Sequence, residues 1–491
     1  METLNLKQLS ELLQERTRNL SGSSLLLKKS AITALFLFTD ITLLFFSMLL
    51  SLQIRDAMMP GEIYVFDYTS IIAFIIPLFP LAFYLRGLYP GFGIDVIEEL
   101  RSITYSITVV FAILAAMSFF VQGAWEYSRL AFMLSLLFSM ITIPMGRALV
   151  RKTFSSSGWW GIPVIIIGAG QAGEKVIRSL DKHKHIGLRP VVAVDDDVDR
   201  WGYIEKIPVI GGLDIIPELA KKLRVDHAII AMPGVSGRRQ QEIIYKYSRY
   251  FTHATVIPNI FGLSSLWVST RDLGGIIGLE VQQKLLKKTS MMQKRIFDFI
   301  FALILSLISL PLIILIAIMI KLDSRGHVFF RQERMGKNDS RFKIVKFRTM
   351  HEDAENKLNE ILEKDPELRQ EYEVYHKLKQ DPRLTRVGKF LRKFSLDELP
   401  QFWNVIKGEM SLIGPRAYMP WEKPKMNGNE EIILKVKPGI SGLWQVTDRN
   451  SSSFEDRNLT DVYYIRNWSM FLDIYLASRT VAVILKGNNG Y

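Results

Sequence analysis

Four long apolar runs near the start of the chain, at roughly Ile32–Ile54, Val65–Leu85, Ile103–Ala124 and Leu130–Val150, restrict what it can fold into. Each approaches the ~20 residues an α-helix needs to cross a bilayer, and a backbone in lipid must satisfy its own hydrogen bonds. The runs predict four transmembrane helices. Lys7, Arg16, Arg18, Lys28 and Lys29 precede the first run and Arg147, Arg151 and Lys152 close the last, whereas the short loops between them are poorer in Lys and Arg. That asymmetry puts both basic ends in the cytoplasm, as an even number of crossings allows. The first run starts too late and is too long for a removable signal peptide. Asp40 falls inside it, where a carboxylate is costly; a helix-pairing contact is the simpler reading and a proton or ligand site the alternative.

Composition agrees with a membrane assignment. The 491 residues are 48% hydrophobic and carry a formal net charge of +13. A soluble nucleic-acid binder is basic but not greasy, so the combination fits a membrane protein with basic cytoplasmic faces and no nucleic-acid partner. The absence of cysteine excludes a structural disulfide, a Cys-ligated zinc and a thiol nucleophile.

Beyond the runs the pattern changes. "PVIIIGAGQAGEKVIRSL" from Pro163 reads as a short strand, a glycine-rich turn and an amphipathic helix, and "PVVAVDDD", "HAIIAM" and "ATVIPNI" as further strands. A Rossmann-like α/β domain with a mostly parallel sheet is expected over residues 160–285. Gly168, Gly170 and Gly173 match a dinucleotide fingerprint, and Asp195 stands where a ribose-binding acid would. A nucleotide could be bound there; equally, the glycines could only permit a tight strand-to-helix turn.

A fifth apolar run, inside "KRIFDFIFALILSLISLPLIILIAIMIKLDSRG", has Lys294 and Arg295 before it and Lys321 and Arg325 after it. Basic residues at both ends place both in the cytoplasm and predict a re-entrant helix-break-helix over residues 290–322. Pro311 would make the break, with Ser309 satisfying freed carbonyls, and Asp298 could pair with Lys294 or Arg295. A kinked fifth span, putting the C-terminal region outside, is the alternative.

Residues 323–491 are soluble in composition, and residues 351–380 form a charged helical stretch suited to a solvated face or a lid. In "KFSLDELPQFWNVIKGEMSLIGPRA", Ser395 followed by Glu398 is a capping-box pattern, so the adjacent acids Asp397 and Glu398 could merely start a helix. Around them lie "RFKIVKFRTM", "GPR" (Gly414–Arg416) and "KPGISGLWQVTDRN". Cations beside an Asp–Glu pair are what phosphoryl transfer needs: the acids hold a divalent metal or attack phosphorus, and Lys and Arg neutralise phosphate oxygens. A helix dipole would keep Asp397 ionised, so capping and catalysis are compatible. Gly439 and Gly442 are read as turn glycines.

"KFRTM", "SLDELPQFWNVIKGEMSLIGPR", "KPGISGLWQV" and "KRIFDF" before a proline-broken apolar helix resemble the bacterial monotopic phosphoglycosyl transferases, the polyprenyl-phosphate hexose-1-phosphate transferases, from Lys294 to the C-terminus. Four spans and a Rossmann-like domain ahead of that region are similar to the large members, most of all the undecaprenyl-phosphate galactose phosphotransferase type. The resemblance implies a UDP-sugar and undecaprenyl phosphate as substrates, Mg²⁺ as cofactor, and a bacterial inner-membrane location with the catalytic region on the cytoplasmic face, working in O-antigen, capsule or exopolysaccharide synthesis. It implies that Asp397 is the nucleophile, that Glu398 supports it or the metal, and that Arg416 contacts phosphate. Lys346, Arg348, Gln445 and Arg449 are implied substrate contacts, with a basic membrane-facing surface the alternative for Lys346 and Arg348. Family members often read "GPRP", where Ala417 stands here, which puts the stiffness of that loop in doubt.

The expected architecture is an N-terminal amphipathic segment (1–30), four transmembrane helices (31–152), the Rossmann-like domain (160–285), the re-entrant helix (290–322) and the catalytic domain (323–491). Two rivals remain. A nucleotide-sugar dehydratase or epimerase shares the glycine fingerprint, but no Tyr-x-x-x-Lys pair occurs between Pro163 and Leu279. A non-catalytic scaffold for polysaccharide assembly would use the same lipid-facing surface. Glucose is the nearest alternative sugar, and the sequence leaves oligomeric state open, a homodimer included.

Overall fold

A computed structural model describes residues 22–59, 75–120, 128–258, 268–272, 277–281, 283–352, 381–447 and 453–485, with isolated positions between 353 and 380. The chain divides into two compact units, Met1–Gly262 and Leu263–Tyr491. Residues 1–21 of the expected N-terminal segment, most of 351–380 and Arg449 lie outside the described residues, and residues 22–30 of that segment belong to the first helix.

The first unit opens with helices α1 (Gly22–Met58), α2 (Leu78–Leu85), α3 (Val96–Phe120) and α4 (Arg129–Phe154). α1, α3 and α4 are long and apolar enough to cross a membrane. Residues 65–74 of the expected run Val65–Leu85 lie outside the described residues, and its described part ends in the eight-residue α2. α1 packs along α4. Small and hydroxylic residues set that crossing: a Cβ on Gly146 would come within 2.2 Å of Leu43, and Ser47 bonds Thr142 at 2.9 Å.

Asp40 is a helix-pairing residue, as its simpler reading holds. Fully buried, it takes two hydrogen bonds from Arg147 of α4, at 2.6 and 2.9 Å, and one from the Tyr89 hydroxyl. Glu99 of α3 pairs with Arg147 at 3.1 Å and with Arg151 at 2.8 Å. Two acids thus balance two arginines, which is how charge is tolerated in an apolar bundle. Arg147 and Arg151, counted above as a basic flank, are largely neutralised inside the unit; Lys152 is the exposed cation at this end.

The α/β part carries β1 (Ile162–Ile167), α5 (Gln171–Lys182), β2 (Leu188–Val194), β3 (Gly202–Ile204), β4 (Ile207–Val209), α6 (Ile216–Leu223), β5 (His227–Ile230), α7 (Gly237–Tyr247) and β6 (His253–Val256). Strand order is β3-β4-β2-β1-β5-β6, parallel except between β3 and β4. All six residues of β1 are buried, which explains its unbroken apolar sequence: helices cover both faces of a central parallel strand.

In the second unit, β7 (Val268–Asp272) and β8 (Ile277–Val281) form a hairpin ahead of the 36-residue helix α8 (Lys288–Asp323). There follow β9 (Phe329–Met335), β10 (Arg341–Phe347), α9 (Arg386–Lys393), a 3₁₀ turn (Leu396–Gln401), α10 (Phe402–Lys407), β11 (Ser411–Ile413), α11 (Glu430–Ile433), β12 (Gly439–Ser441), α12 (Leu443–Thr447), α13 (Phe454–Asn467) and α14 (Met470–Leu485). Among the described residues its strands make three separate two-stranded ladders. Helical and irregular segments fill most of this α/β-type region.

α8 stays helical through Pro311, so no non-helical gap separates the two halves of the expected re-entrant element. Ser309 donates to the Leu305 carbonyl at 2.6 Å, one turn back along its own helix, whereas the carbonyl that Pro311 leaves without an amide donor is that of Leu307, so this bond is not the one expected of Ser309. Both ends of α8 are fixed to the same unit. Near its start, Lys294 bonds Asp473 at 2.7 Å and Asp298 at 3.5 Å, Asp298 accepts from the Ser411 hydroxyl at 2.5 Å, and Arg295 caps the Val405 and Ile406 carbonyls. Near its end, Ile316 and Ile320 pack with Phe347 and Leu391, and Asp323 accepts from the Val387 amide at 3.0 Å. Between them lies an exposed apolar stretch that includes Leu307, Ile308 and Leu310.

Candidate active site

Asp397 and Glu398 sit on the 3₁₀ turn, and the Ser395 side chain does not cap it. Ser395 has φ +51° and no side-chain cap bond, because its amide still bonds the Arg392 carbonyl as α9 ends. It closes one helix, and only its backbone carbonyl, which accepts from the Glu398 amide at 3.3 Å, serves the next turn. Leu396 and Leu399, three apart, pack against Ile316, Ile320, Phe347 and Leu391, leaving Asp397 and Glu398 between them to line the site. The alternation Leu-Asp-Glu-Leu-Pro is thus a buried two-point anchor for two presented carboxylates.

β10 runs beside this turn, and Lys346 on it donates to Glu398 at 2.7 Å. Burial raises the Asp397 carboxyl to about 6; the neighbouring Glu398 charge adds to the rise, while Lys346 and Arg392 oppose it. A six-residue 3₁₀ turn has too small a dipole to hold the group down, so Asp397 sits above the ordinary carboxylate value where a helix start was expected to lower it, though it is still ionised at neutral pH. Arg348, a candidate substrate contact, points elsewhere: its guanidinium holds the Ser324 and Arg325 carbonyls at 2.9 and 2.6 Å, pinning the exit of α8.

The Gly-Pro-Arg loop follows β11, whose residues Ser411 and Ile413 pair with Gly439 and Ser441 of β12. A Cβ on Gly439 would meet the Gly414 amide nitrogen at 2.1 Å, and one on Gly442 the Gly414 carbonyl oxygen at 2.3 Å. Neither has positive φ, so these glycines permit close backbone approach and are not turn formers, contrary to expectation. Arg416 stacks over Trp444 at 5.7 Å, with Arg457 also over that ring at 5.0 Å. Gln445 is on α12, its Oε1 buried without a hydrogen-bond partner among the described residues.

Sequence reasoning missed Arg334, Asp461 and Arg392. Arg334 donates to the Ala417 carbonyl at 2.9 Å, tying down the loop at the residue that stands where proline is common. Burial and the charge of Arg416 lower the Arg334 guanidinium to about 10, with Glu422 and Glu398 opposing, so the arginine loop and the acidic turn share one field. Asp461 is completely buried and raised to about 7 by burial; Oδ2 accepts from the Arg416 amide at 3.1 Å and the Tyr418 hydroxyl at 2.8 Å. Its only signal in the sequence was an acid within the apolar-periodic helix "NLTDVYYI".

Among the described residues no cluster of three or more His, Asp or Glu could cage a metal ion. Two adjacent carboxylates amid cations do fit Mg²⁺ carried by a diphosphate, since Mg²⁺ usually takes one or two protein carboxylates and completes its shell with phosphate oxygens and water. In the first unit the dinucleotide-like residues are engaged with one another. Asp195 accepts from the Ala169 amide at 2.6 Å and from Arg200 at 3.2 Å, and a Cβ on Gly170 would meet that Arg200 guanidinium at 2.7 Å. Gly168 has φ +105°, and a Cβ on Gly173 would come within 2.0 Å of the Gly168 carbonyl oxygen, as a tight strand-to-helix turn requires.

The bacterial sugar transferase family matches residues 289–487, and a CoA-binding domain family matches residues 86–258. A UDP-galactose-lipid carrier transferase of Erwinia amylovora is 33% identical over 377 residues, covering 75% of this chain and 77% of that protein. An undecaprenyl-phosphate galactose phosphotransferase of Salmonella typhimurium is 33% identical over 401 residues, covering 80% and 82%. A UDP-glucose:undecaprenyl-phosphate glucose-1-phosphate transferase of Xanthomonas campestris pv. campestris is 27% identical over 433 residues, covering 84% and 85%. The chain therefore belongs to the bacterial sugar transferase family.

Proposed function

We propose that the protein transfers a hexose 1-phosphate, galactose 1-phosphate in the first instance, from a UDP-sugar to undecaprenyl phosphate through a covalent intermediate on Asp397. The observation that carries this reading is a carboxylate raised by burial to about 6 and presented on a doubly anchored turn between Lys346 and Arg392. At neutral pH it is ionised and poorly solvated, a state suited to nucleophilic attack.

The Asp397 carboxylate oxygen attacks the β-phosphorus of the UDP-sugar. The bond from that phosphorus to the bridging oxygen breaks, and UMP leaves with the bond's electron pair. An oxygen of the lipid phosphate then attacks the phosphosugar-aspartyl phosphorus, the Asp397–phosphorus bond breaks, and the carboxylate is restored. Lys346 holds Glu398 in place, while Arg416 and Arg334 offset charge on the phosphate oxygens. Mg²⁺ bound at Asp397 and Glu398 would supply further neutralisation of the diphosphate.

Galactose as the sugar rests on the Erwinia and Salmonella relatives, and the Xanthomonas relative makes UDP-glucose the second donor to test. The attachment of both ends of α8 to one unit supports a re-entrant helix, with this unit on the cytoplasmic face of the bacterial inner membrane, where a UDP-sugar and a polyprenyl phosphate head can meet. The nucleotide is assigned to the second unit, because Asp195 of the first is already taken by Ala169 and Arg200. UMP release by protein in lipid nanodiscs, with undecaprenyl phosphate, Mg²⁺ and either UDP-galactose or UDP-glucose, tests the reading. Release faster with UDP-galactose and lost in Asp397→Asn is expected; release undiminished in that variant would sink it.

A further inference from the structure

A second basic site stands at the start of α8, sharing no lining residue with the acidic turn. It is a cleft of about 270 Å³ walled by Leu285, Met291, Met292 and Val436, and by the charged residues Lys294, Arg295, Asp298, Lys337 and Lys437. Four cations therefore face one carboxylate. Asp298 is committed to Lys294, which Asp473 also neutralises. Arg295 satisfies its hydrogen bonds on the Val405 and Ile406 carbonyls, but neutral acceptors leave its charge uncancelled. Lys337 donates to the Met291 sulfur at 3.5 Å. No carboxylate lies within ion-pair distance of Lys437 among the described residues, and its ammonium is lowered by burial and by the charges of Arg295 and Lys337, with Asp298 opposing.

Three cations crowded around one carboxylate that is paired with Lys294, and with no ion pair of their own among the described residues, attract an anion. The apolar walls say which kind. Met292 of the cleft is 62% exposed, and Ile296, Phe299, Ile300 and Leu303 continue from it as exposed residues. Their spacing of three and four places them along one stripe of α8, leading from the cleft into the helix's apolar middle. A ligand with a phosphate at the cleft and hydrocarbon along that stripe matches both features.

We propose that the cleft formed by Arg295, Lys337 and Lys437 binds the phosphate of an anionic membrane phospholipid, with its acyl chains lying along the Met292–Leu303 face of α8. Bound there, the lipid would fix the depth at which the helix start meets the membrane surface. The proposal does not depend on the transfer reaction, because it concerns a lipid that is not consumed.

The test uses delipidated full-length protein in a neutral detergent, titrated with phosphatidylglycerol, phosphatidylcholine or inorganic phosphate and read by native mass spectrometry. One phosphatidylglycerol should be retained in preference to phosphatidylcholine, and inorganic phosphate should not displace it. At roughly fivefold per cation, Lys337→Gln with Lys437→Gln should weaken retention about 25-fold. Arginine at both positions should preserve it, as should Lys222→Gln with Lys246→Gln on the first unit. If the double Gln variant fails to fold, Lys337→Gln alone, at a half-exposed position, should still weaken retention about fivefold. Equal retention of phosphatidylcholine, displacement by inorganic phosphate, or retention unchanged in folded Gln variants would overturn the proposal.

Discussion

Asp397 and Asp461 show how far one carboxyl's environment decides its use. Asp397 lies in a field of mixed sign and is raised to about 6, above the usual carboxylate value of 3.8. Ionisation in the folded state therefore occurs through pH 6, and the free enzyme's kcat/KM should fall about tenfold per pH unit below it. A pH profile at low Mg²⁺ checks this; excess Mg²⁺ should move the limb to lower pH, because the cation favours the carboxylate. The same shift acts oppositely on stability. The unfolded chain releases this proton first, so Asp397 lowers stability as pH rises from about 4 to about 6, and Asp397→Asn should remove that slope from melting curves. Asp461 holds the arginine loop from beneath. Asp461→Asn keeps an acceptor for the Arg416 amide and the Tyr418 hydroxyl and should leave activity within about tenfold, whereas Asp461→Ala frees the loop and should cost about 10²-fold in kcat/KM. Steady-state rates of the two folded variants separate these outcomes.

At the scale of elements, short motifs were legible where a local rule was strong. Asp40 pairing α1 with α4, the parallel sheet and the Lys294–Asp298 contact all followed from the cost of burying charge or from hydrophobic period. Ser395 was misread because its sequence offset suits a cap, while only the backbone shows that it ends α9 at φ +51°. Arg348 looked like a substrate ligand because a guanidinium is the same in sequence whether it meets a phosphate or two backbone carbonyls. Arg334 and Asp461 were missed because their partners lie 83 and 45 residues away. The clamp on α8 gives a direct prediction. Lys294→Met leaves Asp298 and Asp473 buried without their cation and should cost about 3 kcal/mol or more, read as a fall in the melting temperature of the purified protein. Lys346→Met, by contrast, should lower kcat more than stability, since the Lys346–Glu398 pair is partly exposed to solvent.

Across the whole molecule, the two units carry different chemistry. The first joins an apolar bundle to a parallel sheet whose glycine turn is engaged by its own Asp195 and Arg200, and it should bind NAD no more tightly than an Asp195→Ala variant does, measured by calorimetry. The second holds the acidic turn, the arginine loop and the long apolar helix, and the family assignment covers nearly all of it. The central claim is that Asp397 forms a bond to phosphorus. Incubating full-length protein with UDP-galactose and Mg²⁺ in the absence of undecaprenyl phosphate, followed by acid quench and peptide mass spectrometry, tests it most directly. A hexose-phosphate adduct on the peptide containing Asp397, lost on adding undecaprenyl phosphate and absent from Asp397→Asn, is the predicted result. Lipid-linked product formed by Asp397→Asn at the wild-type rate, or an adduct carried by another residue, would contradict the account.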